Sequence, residues 1–310
     1  GILDKAMDVL TAEEKQALDL KWLPVIAGVT GQSVSIALSA EERKWLSEHQ
    51  HIRLGVDPLW PPFEFLNENG SHGGLAAGYV GAVVKRLNIE MKPLTDLSWS
   101  QVMEKARAGE VDMLPAVMAT PEREEFLNFT KPYATFPIVV ATHTDRPFIS
   151  GLEGLAGKKV GVVKDYFIEE ALQRDHRSLE LIGFSTLREA LQALNDGNID
   201  AYVDSMPTIS HQVSYLGLTN IKISAPTDYT IALAMGVRKD WPHLIGLLNR
   251  ALDDVDQEER RVISNAWLAL PIQYGMDFRT IIVWATPIGF SVIVVVLIVV
   301  VWNRRLGREI

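Results

Sequence analysis

The segment around Arg123 contains the residue types of an anion-binding site. Thr120 and Pro121 form a typical helix start, because threonine caps the first turn and proline suits the first helical position. Such a helix start presents backbone N–H groups to an anion, and the guanidinium of Arg123 can add a bidentate pair of hydrogen bonds to a carboxylate. The alternative is a surface ion pair of Arg123 with Glu122 or Glu125.

Acidic residues follow two of the predicted strands. Asp57 and Trp60 come after the first strand of the chain, and Asp204 ends a later one. A buried ammonium group needs an anionic partner, so Asp204 is a candidate to bind one. The alternatives are that Asp204 caps the turn at 205–210 and that Trp60 packs against the prolines that follow it.

The scaffold for these residues is predicted to be an α/β fold. Short apolar strands alternate with amphipathic helices, which indicates βα units and a largely parallel sheet. The pattern restarts near residue 158, so we expect two lobes, one formed by about 48–140 with 231–275 and the other by about 143–226. Ligands of open α/β sheets bind beyond the carboxyl ends of the strands. The cleft between the lobes is therefore the predicted site.

An apolar segment near the C-terminus predicts a transmembrane helix. Residues 280–303 contain no charged residue, and as a helix they would extend over about 36 Å, more than the roughly 30 Å of a bilayer core. Three arginines follow within a few residues, so the positive-inside rule places this end in the cytoplasm. We expect residues 1–278 to be periplasmic, 304–310 to begin a cytoplasmic signalling helix, and the protein to lie in the bacterial inner membrane.

A repeat indicates a second copy of the domain. Residues 1–25 match 246–270 at a constant offset, and both copies contain a capping-box pattern followed by a helix with a tryptophan. A chance match of two amphipathic helices is the alternative. We interpret residues 1–25 as the tail of a preceding domain, 26–47 as a linker and 48–275 as the main domain.

The composition excludes several classes of function. The 310 residues carry a net charge of −9, which argues against nucleic-acid binding, and there is no cysteine. The histidines show no metal-ligand spacing, and no nucleotide-binding loop is present. We expect no catalytic residues, no metal and no cofactor in this segment.

Several motifs resemble the family-3 extracellular solute-binding domains, which have the Venus flytrap fold. The most specific are Ala119–Arg123 with Asn128–Tyr133. The others are Ile52–Asp57 with Pro61–Phe65, Gly78–Tyr79, Leu155–Val162 and Asp196–Asp204. The resemblance covers about residues 48–272. It implies a two-lobed periplasmic-binding-protein fold, here with a C-terminal transmembrane helix, and a small-molecule ligand between the lobes.

The resemblance also implies roles for single residues. In the family, the position of Arg123 holds the ligand α-carboxylate and that of Asp204 receives the α-ammonium. The positions of Asp57 and Trp60 contact the ligand side chain, the aromatic one by stacking. Thr120 completes the set of expected ligand contacts on the segment of Arg123.

Four further site positions depart from the family pattern. Amino-acid binders usually have small hydroxyl residues or glycine at the positions of Ala116 and Met118, and serine or threonine at those of Tyr166 and Phe167. The hydroxyls that hydrogen-bond a ligand carboxylate are therefore missing. The ligand would be a different carboxylate, aromatic or larger, or else the cleft is filled by its own side chains.

The order of the segments resembles BvgS-type sensor histidine kinases. This resemblance implies that residues 1–25 belong to a preceding Venus flytrap domain and that the receptor is a homodimer. We expect a periplasmic domain that binds a small carboxylate or amino-acid-like ligand and transmits lobe closure through the membrane helix. The alternatives are a membrane-anchored amino-acid transport binding protein and the receptor domain of a diguanylate cyclase.

Overall fold

The computed structural model of the chain describes residues 36–268. The predicted preceding-domain tail at 1–25, the predicted membrane helix at 280–303 and the predicted signalling helix at 304–310 lie outside these residues, as does the first part of the predicted linker, at 26–35. Between residues 36 and 268, no helix is both long enough and apolar enough to cross a bilayer.

The secondary structure alternates between strands and helices along most of the chain. The helices are α1 (Ala40–Glu48), α2 (Leu75–Leu87), α3 (Trp99–Arg107), α4 (Pro121–Glu124), α5 (Phe167–Asp175), α6 (Leu187–Asn195), α7 (Met206–Leu216), α8 (Pro242–Asp253) and α9 (Gln257–Leu268), with a 3₁₀ turn at Leu152–Leu155. The strands are β1 (His51–Leu54), β2 (Leu59–Trp60), β3 (Glu64–Leu66), β4 (His72–Gly73), β5 (Glu90–Pro93), β6 (Met113–Val117), β7 (Leu127–Phe129), β8 (Ala134–His143), β9 (Lys159–Val163), β10 (Glu180–Phe184), β11 (Ala201–Ser205) and β12 (Ile221–Arg238).

The strands divide into two groups, one in each lobe. They follow the order β10-β9-β11-β8-β12-β6-β1-β5, with β7 paired to β12, and β2, β3 and β4 form a separate small sheet. Within the lobes, β1 pairs in parallel with β5 and β6, and β9 pairs in parallel with β10 and β11. This confirms the predicted two-lobed α/β fold.

Two long antiparallel strands join the lobes. One end of β12, at Ala234–Arg238, pairs with β6 and β7 in lobe 1. The rest of β12 pairs with β8, which in turn pairs with β11 of lobe 2 over Ile138–Thr142. The register shifts between Pro226 and Thr230, where β12 passes between the lobes. Because only these two strands connect the lobes within the described chain, they are the natural hinge.

Local capping signals explain where several helices begin. The Thr186 hydroxyl accepts a hydrogen bond from the Glu189 N–H and so caps α6. Ser98 forms a full capping box at the start of α3. At α9, Asp256 accepts a hydrogen bond from the backbone N–H of Glu259, which is one half of the predicted capping box.

The last described helix, α9, is attached to lobe 1. Arg86 on α2 is buried, and its guanidinium lies 2.8 Å from Asp254 and 2.7 Å from Glu259, which stands in the first turn of α9. The two helices also approach closely at Gly78, where an added Cβ would lie 2.7 Å from the Cγ2 atom of Ile263. The helix that leads toward the predicted membrane segment therefore moves with lobe 1.

Candidate functional site

A small cavity lies between the lobes, at the carboxyl ends of their strands. Its volume is about 30 Å³, which is room for about two water molecules. Eight of the nine predicted site residues line it: Ala116, Met118, Arg123, Asp57, Trp60, Tyr166, Phe167 and Asp204. The sequence therefore located the cleft, but in this structure the cleft is too small for an amino acid.

Thr120 is the one predicted site residue that does not line the cavity. It caps α4 as expected, with its hydroxyl accepting from the Arg123 N–H at 3.3 Å. The structure differs from the sequence-based expectation of free N–H groups, because Arg123 and Glu124 both donate to the Thr120 carbonyl. Since α4 is only one turn long, these bonds leave little for an anion.

Arg123 is buried and bound by acceptors of the protein itself. Its Nε and Nη2 atoms donate to Glu170 Oε1 on α5, at 3.2 and 2.8 Å. Nη2 also donates to the Asp165 carbonyl at 3.0 Å, and Nη1 to the Met118 carbonyl at 3.3 Å. Only 2% of Arg123 is exposed, so the surface ion pair with Glu122 or Glu125 is not formed. The carboxylate partner of Arg123 comes from the opposite lobe.

Asp165 is a second point where lobe 2 is bonded to lobe 1. Its carbonyl accepts from Trp99 Nε1 on α3 at 2.9 Å, in addition to Arg123, and its carboxylate accepts from the Ser100 hydroxyl. Asp165 adopts a left-handed conformation with φ 62°. An aspartate tolerates this conformation better than most residues. This turn aims both of its acceptors at lobe 1.

Asp57 and Tyr166 form a third bond across the cleft. The Tyr166 hydroxyl donates to Asp57 Oδ2 at 2.5 Å, and the other carboxylate oxygen accepts from the Leu59 N–H at 2.9 Å. The backbone N–H of Asp57 donates to the buried carboxylate of Glu64. We call the cross-lobe bonds of Arg123 to Glu170, of Asp165 to lobe 1, and of Asp57 to Tyr166 the interlobe latch.

Asp204 is buried on the lobe 2 side of the cavity. Its carboxylate accepts from the Tyr202 hydroxyl at 2.7 Å and from the Ser205 N–H at 2.5 Å. The N-cap of α7 is Ser205, whose hydroxyl accepts from the Thr208 N–H. The alternative that Asp204 caps this turn is therefore wrong, and its carboxylate is available to the cavity.

Burial raises the pKa values of the carboxyl groups in the cavity. The pKa of Asp57 rises to about 7, mainly because burial disfavours its charged form, and the nearby Glu64 and Asp204 add to the effect. Hydrogen bonds from Tyr166 and Leu59 oppose this rise. Burial also raises the pKa of Asp204 to about 6, against the bonds from Tyr202 and Ser205. Both groups thus resist ionisation in the closed cleft.

Aromatic rings form much of the cavity wall. Trp60 makes edge contacts with Phe63 and Tyr166, at 5.1 and 5.5 Å between ring centroids. Trp60 thus packs against aromatic rings of both lobes and also lines the cavity, and its contact with a ligand stays a prediction. Its buried indole N–H has no acceptor among the described residues. The large residues at 118, 166 and 167 occupy the space that small hydroxyl residues would leave open.

Three residues that complete the site were missed by the sequence reasoning. Glu170, Asp165 and Trp99 bind partners on the opposite lobe. Glu170 lies three residues after Phe167 on an amphipathic helix, a spacing that places both on the same side of α5. That spacing was the available signal, but surface glutamates on helices are common and the signal is weak.

Two α/β lobes joined by a pair of strands around a cleft define the Venus flytrap class of binding domain. The chain belongs to the bacterial extracellular solute-binding proteins, family 3, whose family model matches residues 52–269. This confirms the family resemblance on which the site residues were predicted.

Among its relatives, the chain is 24% identical over 272 residues to the virulence sensor protein BvgS of Bordetella bronchiseptica. That match covers 86% of this chain and 22% of BvgS, so the chain spans about a fifth of that relative. It is also 24% identical to the ABC transporter arginine-binding protein 1 of Escherichia coli, over 76% of this chain and 97% of that protein. A solved double mutant of the VFT2 domain of Bordetella pertussis BvgS matches with a TM-score of 0.67 and 25% identity, covering 74% of this chain and 99% of that domain.

Proposed function

We propose that the chain is the periplasmic sensing part of an inner-membrane receptor, a sensor histidine kinase, in which closure of the two lobes is the signal. The observation that carries this proposal is the interlobe latch, which holds the cleft closed with groups of the protein itself. A transport protein must exchange its cargo through the cleft. A cleft sealed from within instead suits a domain that signals through its shape.

The attachment of α9 supports a route for the signal. Because Arg86 holds Glu259 and Asp254, α9 stays with lobe 1 when lobe 2 moves. The segment after α9 is predicted to lead into the membrane helix at 280–303. A change of closure then alters the position of lobe 2 relative to that helix, and in a homodimer this changes the contacts between the two copies.

The ligand is proposed to be a small charged molecule, an amino acid or a related amine, that binds between the lobes. Asp57, Asp204, Trp60, Arg123 and the other residues lining the cavity would contact it. The arginine-binding relative supports a charged small molecule of this kind. A ligand with a carboxylate must displace Glu170 from Arg123, since the guanidinium already binds that side chain.

The test is the autophosphorylation of the full-length receptor in membrane vesicles, with the latch weakened. Tyr166→Phe removes the bond to Asp57, and Glu170→Gln removes the negative charge beside Arg123. Both should change kinase output in the same direction and by at least threefold. Gln173→Ala, an exposed residue on the same helix, is the matched control and should leave output unchanged. If both latch variants match the unsubstituted receptor, lobe closure is not the signal.

A further inference from the structure

Arg123 is the cation that lines the cavity, and its charge is already neutralised by the protein. The Arg123 guanidinium binds Glu170 with two of its nitrogens and two backbone carbonyls with the terminal ones. A guanidinium has five N–H donors in a fixed plane, and four hydrogen bonds use most of them. A ligand carboxylate would find its binding partner occupied by the carboxylate of Glu170.

The two anions of the cavity are not neutralised. Asp57 is bound by the Tyr166 hydroxyl and one backbone N–H, and Asp204 by the Tyr202 hydroxyl and one backbone N–H. All four donors are neutral. Within residues 36–268, neither carboxylate forms an ion pair with a lysine, arginine or histidine. Each carboxylate can accept about four hydrogen bonds, so both have room for a further donor.

Because these carboxyl groups are buried, the lack of a cationic partner makes their ionisation unfavourable. Asp57 and Asp204 are 2% and 3% exposed, and an ionised carboxylate at such depth needs a cation beside it. In the empty cleft a bound proton can neutralise the charge of each carboxylate, which agrees with the raised pKa values of both groups. A positively charged ligand would neutralise the carboxylates equally well and would replace that proton.

The remaining walls favour an apolar or aromatic body on the ligand. Trp60, Trp99 and Phe167 line the cavity together with aliphatic side chains. Aromatic faces also attract ammonium groups. The indole N–H of Trp60 is buried in this wall and has no acceptor among the described residues, so it adds a donor for a water molecule or for a hydroxyl on the ligand.

We infer that the ligand of this cleft is a small organic ammonium ion without a carboxylate group, held by Asp57 and Asp204 while Glu170 stays on Arg123. This inference rests on the proposed function, since it assumes a cleft that responds to a ligand. The ammonium group donates to the two aspartates. Because the cavity of about 30 Å³ is too small for such a molecule, Tyr166 must move away from Asp57 to make room, which changes the contact between the lobes.

Three probes of nearly the same size separate the two kinds of charge. Phenethylamine has the ammonium alone, 3-phenylpropionate has the carboxylate alone, and phenylalanine has both. Calorimetric titration of the full chain should show binding of phenethylamine, binding of phenylalanine at least tenfold weaker, and no binding of 3-phenylpropionate. Asp204→Asn should weaken the binding of phenethylamine by about thirtyfold or more, since it removes a buried charged partner. Gln173→Ala is the matched control and should bind as the unsubstituted chain does.

Glu170→Ala gives a readout that does not depend on a loss of binding. Removing the internal carboxylate should free Arg123, so this variant should gain affinity for 3-phenylpropionate and phenylalanine. The inference is overturned if phenethylamine fails to bind at millimolar concentration, if phenylalanine binds as tightly as phenethylamine, or if 3-phenylpropionate binds the unsubstituted chain. In each of these cases the proposed function still stands or falls on the kinase output of the latch variants, which involves no ligand.

Discussion

The Glu170 carboxylate of lobe 2 lies 2.8 Å from the Arg123 guanidinium of lobe 1, which lines the cavity that should receive the ligand. The arginine side chain is 3% exposed and the glutamate side chain 23%. An ion pair so well shielded from water is strongly unfavourable to break on one side only, because the other charge is left behind. The pair therefore links the stability of the domain to the closure of its lobes.

Removing one partner of this pair should destabilise the domain. Glu170→Ala leaves the buried guanidinium without its carboxylate, and we expect the free energy of unfolding to fall by about 2–3 kcal/mol, less than for a fully buried pair because the Glu170 side chain is partly exposed. Urea denaturation of this variant beside Gln173→Ala measures the effect, since Gln173 is exposed on the same helix. Added acetate should restore part of the loss in Glu170→Ala by binding Arg123. Equal stability of the two variants would show that the pair contributes nothing.

The raised pKa of Asp57 predicts an unusual dependence of stability on pH. Its pKa in the folded state is about 7, compared with 3.8 as its ordinary value, so between pH 4 and 7 the folded chain binds more protons than the unfolded one. The free energy of unfolding contributed by this group therefore falls as the pH rises through that window. Asp204, with a pKa of about 6, acts in the same direction up to about that pH.

The variant Asp57→Asn isolates this contribution, because asparagine stays neutral at every pH. Relative to the unsubstituted chain, the variant should gain about 2–4 kcal/mol of stability between pH 4 and pH 8. Chemical denaturation at a series of pH values gives the difference directly. Parallel curves for the two proteins would mean that Asp57 has an ordinary pKa in the folded state.

Two glycines of α2 test how α9 is seated on lobe 1. At Gly78 a Cβ would lie 2.7 Å from Ile263 on α9, whereas at Gly81 there is nothing within 4 Å. Gly78→Ala should therefore lower the free energy of unfolding by about 1–2 kcal/mol through overpacking. Gly81→Ala should raise it by about 0.5–1 kcal/mol, because alanine is the better helix former. The same sign of change for both variants in urea denaturation would contradict the close approach of the two helices.

Much of the fold was predictable because its signals are local. The bounds of α6 at Leu187–Asn195 and its cap at Thr186 can be predicted from the sequence, since both depend on a few neighbouring residues. The extent of the strands that join the lobes was harder to predict from the sequence. The apolar pattern that begins at Ile231 predicts a strand from that residue onward. In the structure β12 begins at Ile221 and continues past Pro226, because its pairing with β8 stabilises a segment whose proline signals a break.

The residues of the site likewise divide into those that the sequence predicts and those that it does not. Arg123, Asp57 and Asp204 were predicted because they follow strand or helix signals that place them at the cleft. Glu170 was not predicted, because on its own helix it resembles a solvated glutamate, and only the approach of the other lobe buries its contact with Arg123. Sequence patterns report the neighbours of a residue along the chain, so contacts between lobes are the ones they miss.

The distance between the lobes in solution tests the central claim, that the protein closes its cleft with its own side chains. The chain contains no cysteine, so two introduced ones, Glu125→Cys in lobe 1 and Gln173→Cys in lobe 2, carry spin labels at unique and exposed positions. Without any added ligand, double electron–electron resonance on the receptor should give a single narrow distribution of distances centred at a short distance. The distance should lengthen and broaden when Tyr166→Phe and Glu170→Ala are added. A long, broad distribution in the unsubstituted receptor that narrows only with a ligand would contradict the account.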